Sequence, residues 1–97
     1  MIKERVLIAD DEDSSQKLLL SLLESYPDFC AEKRVYSGRQ AYDCLQKETY
    51  DITFLDIGMP DMTGIEIMRT LKQHNSTMPY IVFITALLYF LFSLGTL

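Results

Sequence analysis

Along this chain, short apolar runs alternate with longer stretches of helical periodicity. Val6-Leu7-Ile8-Ala9 and Ile52-Thr53-Phe54-Leu55 are brief, apolar and bounded by polar or turn residues, which is the pattern of buried strands. Arg5 to Asp10 reads as a first strand. Ser14 to Tyr26 reads as a helix with Leu19, Leu22, Leu23 and Tyr26 on one face, stopped by Pro27. Cys30 to Tyr36 reads as a second strand, and Glu32, Lys33 and Arg34 make it polar enough for a sheet edge. Ser37 can cap a helix from Gly38 to about Glu48, with Ala41 and Leu45 facing inward. After the strand that ends at Asp56, Thr63-Gly64-Ile65-Glu66 forms a capping box. The helix it opens runs to about His74 and buries Ile67, Met68 and Leu71. A polar loop, Asn75 to Pro79, leads to a last buried strand, Tyr80 to Thr85.

Strand and helix alternating in this way predict a parallel sheet with helices on both faces. Sites in such sheets lie outside the carboxyl ends of the strands, where the strand order reverses. Asp10, Asp11, Asp56 and Thr85 all fall at strand carboxyl ends. An isolated carboxylate is costly to bury, so three acids on one rim of a sheet ask for a cation.

Bulk composition narrows the setting. At 97 residues the chain is long enough for one domain. Its 48% hydrophobic and 24% charged residues are ordinary for a globular protein. A net charge of −5, with nine scattered Lys and Arg, argues against a nucleic-acid surface, which needs a basic stripe. Met1-Ile2-Lys3-Glu4-Arg5 has no signal-peptide pattern. Cys30 and Cys44 then read as reduced packing residues of a cytosolic protein, without a disulfide or a zinc site.

Three segments together carry a family resemblance: Ala9-Asp10-Asp11-Glu12, the run from Leu55-Asp56-Ile57-Gly58-Met59-Pro60 to Asp61-Met62-Thr63-Gly64, and Ile84-Thr85-Ala86. From Val6 to about Ala86 the chain resembles the receiver domain of bacterial two-component response regulators. The resemblance implies a flavodoxin-like doubly wound parallel sheet, and the strand order is taken from it. It implies that Asp56 accepts a phosphoryl group from the phosphohistidine of a sensor histidine kinase or phosphotransfer protein. Asp11 would ligate Mg²⁺ directly and Asp10 through water, with Asp56 and the Gly58 backbone carbonyl completing the protein ligands. Hard oxygen donors of this kind suit a small cation that keeps several waters. Thr85 would be the switch hydroxyl that meets the phosphoryl group. The implied protein is a cytoplasmic signalling module, not an enzyme, although it can promote its own phosphorylation and dephosphorylation; a homodimer is compatible with it.

Plainer roles and rival functions stand beside this. A calcium loop fits poorly, because alternating acids, a central glycine and a distal Glu are missing. Asp13 reads as an acid at a helix N-terminus and His74 as a partner for a helix C-terminus. Asp61 reads as a surface turn residue, Pro60 as a shaper of its loop, and Tyr26, Tyr36, Tyr42 and Phe54 as packing or surface aromatics. Two other functions stay open. One is a degenerate receiver that binds a partner or dimerises without phosphorylation. The other is an aspartyl-phosphate phosphohydrolase of the dehalogenase-like type, which needs a second acid where Gly58 stands.

Past Ala86 the chain departs from the family pattern. Leu87 to Leu97 is apolar, and no lysine follows Lys72. The resemblance would call for a fourth helix, then a fifth strand and helix bearing a lysine and a mobile aromatic. Residues 1–86 are therefore expected as the receiver core, lacking the fifth strand and fifth helix, and 87–97 as an atypical tail. A shortened fourth helix, a shifted reading frame and a truncated product are alternative readings of that tail. Output switching is expected to be impaired, and no output domain is expected. Tyr80 to Leu97 also carries no charge over eighteen residues, the length at which a membrane span becomes a candidate. A core strand with an apolar ending is the preferred reading.

Overall fold

The computed structural model describes residues 3–74 and 77–85. Across them the elements are β1 (Glu4–Ala9), α1 (Asp13–Leu23), β2 (Phe29–Val35), α2 (Gly38–Lys47), β3 (Ile52–Asp56), α3 (Gly64–Gln73) and β4 (Tyr80–Ile84). Every strand pairing is parallel, and the sheet order is β2-β1-β3-β4. From β1 the chain steps outward to β2, then crosses back to β3 and continues to β4. With right-handed crossovers, that reversal places α1 on one face and α2 and α3 on the other. The result is the flavodoxin-like doubly wound sheet expected from the family resemblance.

Residues Val6 to Ala9 are fully buried, as a strand covered on both faces requires. Leu7 and Ala9 join Leu55, Leu45, Ile67 and Leu71 in the core beneath α2 and α3. Strand β2 is the polar edge anticipated from Glu32, Lys33 and Arg34, all exposed. Register is pinned at the amino ends of β1 and β3: the Arg5 amide donates to Asp51 Oδ2 at 2.6 Å, and the Asp51 amide to the Arg5 carbonyl at 2.9 Å. From there Val6 pairs with Ile52 and Ala9 with Leu55, while Asp56 pairs with Ile84 on the other side. This register sets Asp10 next after Ala9 and Thr85 next after Ile84, so both share a rim with Asp56.

Two elements differ from the sequence reading. Helix α1 ends at Leu23, short of Tyr26, because the Ser25 and Tyr26 amides turn back to the Leu22 and Leu23 carbonyls in a tighter final turn before Pro27. Tyr26 therefore leaves the helix face. It is 58% exposed and meets Phe29 edge-on at 6.3 Å between ring centroids. The leucines of α1 are half-buried, and the one fully buried side chain of that helix is Gln16. The α3 capping box is present: Thr63 Oγ1 accepts from the Glu66 amide at 3.2 Å, and Glu66 reaches back to accept from the Thr63 hydroxyl at 3.1 Å. Met68 is half-buried where burial was expected. Cys30 and Cys44 are free thiols, and Cys44 packs against the core. The residue reading for 86–97 lies outside the described residues. Among the described residues, no helix is long and apolar enough to cross a membrane.

Candidate functional site

The rim formed by the carboxyl ends of β1, β3 and β4 opens into a pocket. Asp10, Asp11, Glu12, Ser15, Asp56, Ile57, Gly58 and Thr85 line it, with no basic side chain among them. It sits beside the β1/β3 boundary, where the strand order reverses. One carboxylate oxygen from each of Asp10, Asp11 and Asp56 lies within 4.8 Å of the other two. Asp10 is buried, Asp56 half-buried and Asp11 exposed. Each of the five residues singled out from the sequence, Asp10, Asp11, Asp56, Gly58 and Thr85, is brought to this pocket.

Local hydrogen bonds aim the acids. Asp10 Oδ1 accepts from the Glu12 amide at 2.9 Å, which turns the chain from β1 into α1. Asp56 Oδ1 accepts from the Gly58 amide at 3.0 Å and so folds the following loop back over the strand end. The Ile57 amide reaches the Ile84 carbonyl at 3.2 Å and joins that loop to β4 just before Thr85. Gly64, at the far end of the loop, is pressed against the strand: a Cβ there would stand 2.9 Å from the Asp56 carbonyl oxygen.

The electrostatics are those of acids packed without counter-charge. Burial pushes the Asp10 carboxyl up to about 6, the Glu12 amide opposes that, and the charges of Asp56 and Asp11 add to it. Asp56 is likewise raised, chiefly by burial, then by Asp11, against the hydrogen bond from the Gly58 amide. A compact group of hard oxygens that resists holding its charge alone fits a small divalent cation.

Two contributors were not read from the sequence. Gln16 looks like an ordinary polar helix residue, yet its amide bonds the Asp10 and Val35 carbonyls at 2.9 and 2.6 Å. Asp61, expected as a surface turn residue, accepts from the Gly38 and Arg39 amides, both at 2.9 Å. Neither role leaves a local mark, because Val35 in the first case and Gly38 and Arg39 in the second come from distant chain segments. Asp13 does stand in the first turn of α1, where it pairs with Lys17 at 3.0 Å and accepts from the Tyr36 hydroxyl.

A doubly wound sheet with three acids at its switch point defines a flavodoxin-like domain with an acidic pocket able to take a cation. The sequence profile of the response regulator receiver domain matches residues 6–87. The chain belongs to that family, the phosphorelay receivers of two-component signalling. It is 33% identical over 78 residues to a protein-glutamate methylesterase/protein-glutamine glutaminase of Treponema denticola, covering 80% of this chain and 21% of that protein. It is 37% identical over 82 residues to the transcriptional regulatory protein BtsR of Salmonella typhi, covering 84% of this chain and 34% of that protein. The chain thus corresponds to a minor part of each. Among solved structures, the signal receiver domain of NarL from Mycobacterium tuberculosis shares the fold, with a TM-score of 0.79 at 21% identity, over 89% of this chain and 68% of that one.

Proposed function

We propose that the chain is a phosphoacceptor: Asp56 takes a phosphoryl group from the phosphohistidine of a sensor histidine kinase or phosphotransfer protein, with Mg²⁺ in the acidic pocket. The observation that carries this is the convergence of Asp10, Asp11 and Asp56 within 4.8 Å, in a pocket that also presents Gly58 and Thr85. Asp10, Asp11, Asp56 and the Gly58 backbone carbonyl would hold the cation. Bound there, Mg²⁺ offsets the negative charge on the transferring oxygens. The remaining work falls to the chain. An Asp56 carboxylate oxygen attacks phosphorus as the N–P bond to imidazole breaks, and the freed imidazole takes up a proton. The hydrogen bond from the Gly58 amide orients the Asp56 carboxylate. Thr85, at the edge of the same pocket, donates its hydroxyl to the arriving phosphoryl oxygen. Residues 1–86 act as the receiver core in a cytoplasmic setting, where such donors occur.

An aspartyl-phosphate hydrolase is disfavoured by Gly58, since its Cβ-less position supplies no second acid. The test is intact-mass spectrometry after incubation with Mg²⁺ and a small phosphodonor. A single phosphoryl adduct, stable in acid, labile in base and absent from Asp56→Asn, supports phosphoacceptance. No adduct on the wild-type chain sinks it and leaves the non-phosphorylated interaction module.

A further inference from the structure

The loop 57–63, which carries Gly58, has a two-bond anchor away from the acids. Asp61 Oδ1 accepts from the Gly38 amide and Oδ2 from the Arg39 amide, each at 2.9 Å. These are the first two amides of α2, donors that a helix start leaves without intrahelical partners. Ser37 Oγ takes a third, from Gln40, at 3.1 Å. Asp61 thus caps α2 from across the fold with both oxygens, in charge-assisted bonds at the positive end of the helix dipole. Gly38 makes the approach possible: a Cβ there would overlap the Met62 carbonyl oxygen and stand 2.8 Å from Met62 Cβ. On the Asp56 side of the anchor, Met59 is buried in the core. The backbone between Asp56 and Asp61 is therefore strung between fixed points, with exposed Gly58 lying within the span.

We propose that Asp61 is a positioning residue for the acidic pocket. By fastening loop 57–63 to the start of α2, it sets the Gly58 backbone beside Asp56 and preforms the cation site. This deepens the phosphoacceptor reading and rests on its assignment of Gly58 as a ligand. Asp61 does not line the pocket, so its effect runs through the loop.

Ser37 supplies the control. Ser37→Ala removes a cap from the same helix end without touching the loop. In isothermal titration with MgCl₂, Asp61→Ala is expected to weaken Mg²⁺ binding about tenfold, as loss of an outer-shell support does. Ser37→Ala is expected to match wild type. Asp61→Asn, which keeps one acceptor oxygen and gives a folded variant should the alanine fail, is expected between them. Equal Mg²⁺ affinity in the Asp61 variants and Ser37→Ala overturns the proposal. If wild type itself binds no Mg²⁺, the cation reading has failed, and amide hydrogen exchange at Gly58 decides the positioning role separately. Faster exchange in the Asp61 variants but not in Ser37→Ala supports it; equal exchange overturns it.

Discussion

The Gln16 side-chain amide donates to the Asp10 carbonyl at 2.9 Å and to the Val35 carbonyl at 2.6 Å, tying α1 to the carboxyl ends of β1 and β2 together. Val35 keeps a second donor in the Asp10 amide at 3.2 Å, whereas the Asp10 carbonyl depends more heavily on Gln16. Gln16→Ala is therefore expected to destabilise the fold by about 1–3 kcal/mol, the cost of leaving a buried polar group unpaired. Urea unfolding measures this. A loss within experimental error would mean that the buried amide contributes no net stability.

Gly64 opens α3, and at an unobstructed helix position alanine would be favoured over glycine by about 1 kcal/mol. Here the added methyl would lie 2.9 Å from the Asp56 carbonyl oxygen, 3.1 Å from Phe83 Cε1 and 3.2 Å from Leu55 Cγ. Gly64→Ala is expected to reverse the usual sign and destabilise by about 1–3 kcal/mol, as overpacking does. Because the methyl presses on the strand end that carries Asp56, slower adduct formation in the mass assay should accompany the loss. A stabilised variant with an unchanged adduct rate would contradict both expectations.

Removing one charge from the acidic group relieves repulsion that no basic lining residue offsets. In metal-free buffer, Asp56→Asn is expected to raise stability by about 0.5–2 kcal/mol. Adding Mg²⁺ at a hundred times its dissociation constant should stabilise wild type by about 2.7 kcal/mol through mass action, and the variant by less. Paired thermal melts with EDTA and with MgCl₂ measure both effects. A less stable metal-free Asp56→Asn would show that the carboxylate contributes more through hydrogen bonding than it costs through repulsion.

The metal-free protein should also respond to pH in an unusual direction. Asp10 is raised to about 6 from 3.8, so the folded state binds its proton more tightly than the unfolded state does. Its contribution is favourable at low pH and is lost as pH rises from about 4 through about 6; Asp56, also raised, acts with it. Asp13, Glu48 and Asp61 are held low by Lys17, by the Tyr50 hydroxyl and by the Arg39 amide respectively. Their opposing effect belongs to more acidic solutions, below the ordinary carboxylate range. Between pH 7 and pH 5, the metal-free melting temperature is expected to climb. Over the same interval Mg²⁺ affinity should fall, because the cation must displace the Asp10 proton. A melting temperature that drops on acidification to pH 5 would contradict the Asp10 shift.

The rim of acids was legible in the sequence because it follows from short-range pattern. Apolar runs that end in Asp10, Asp56 and Thr85 need only pair in parallel register to meet, and Ala9 opposite Leu55 makes them do so. Strand order was less accessible: periodicity says that strands alternate with helices but not which strand lies beside which, and only the motif resemblance supplied it. Sequence pattern carries α1 too far because Tyr26 keeps helical spacing with Leu22 and Leu23, while the turn that expels it is a backbone event. The roles of Gln16 and Asp61 are hidden in the sequence for a different reason. A glutamine among leucines and an aspartate in a turn look ordinary until Val35, Gly38 and Arg39 arrive from elsewhere in the chain.

The parallel register between β1 and β3 has a consequence for the time course of folding. Asp10 and Asp11 precede α1, whereas Asp56 follows two crossovers, so the three acids meet only once the chain from β1 through β3 has come together. A nascent molecule in which β1 has found β2 but β3 is still loose has only half a chelate. Appearance of tight cation binding during refolding would therefore act as a clock for the β1–β3 closure, independent of any optical signal from the helices.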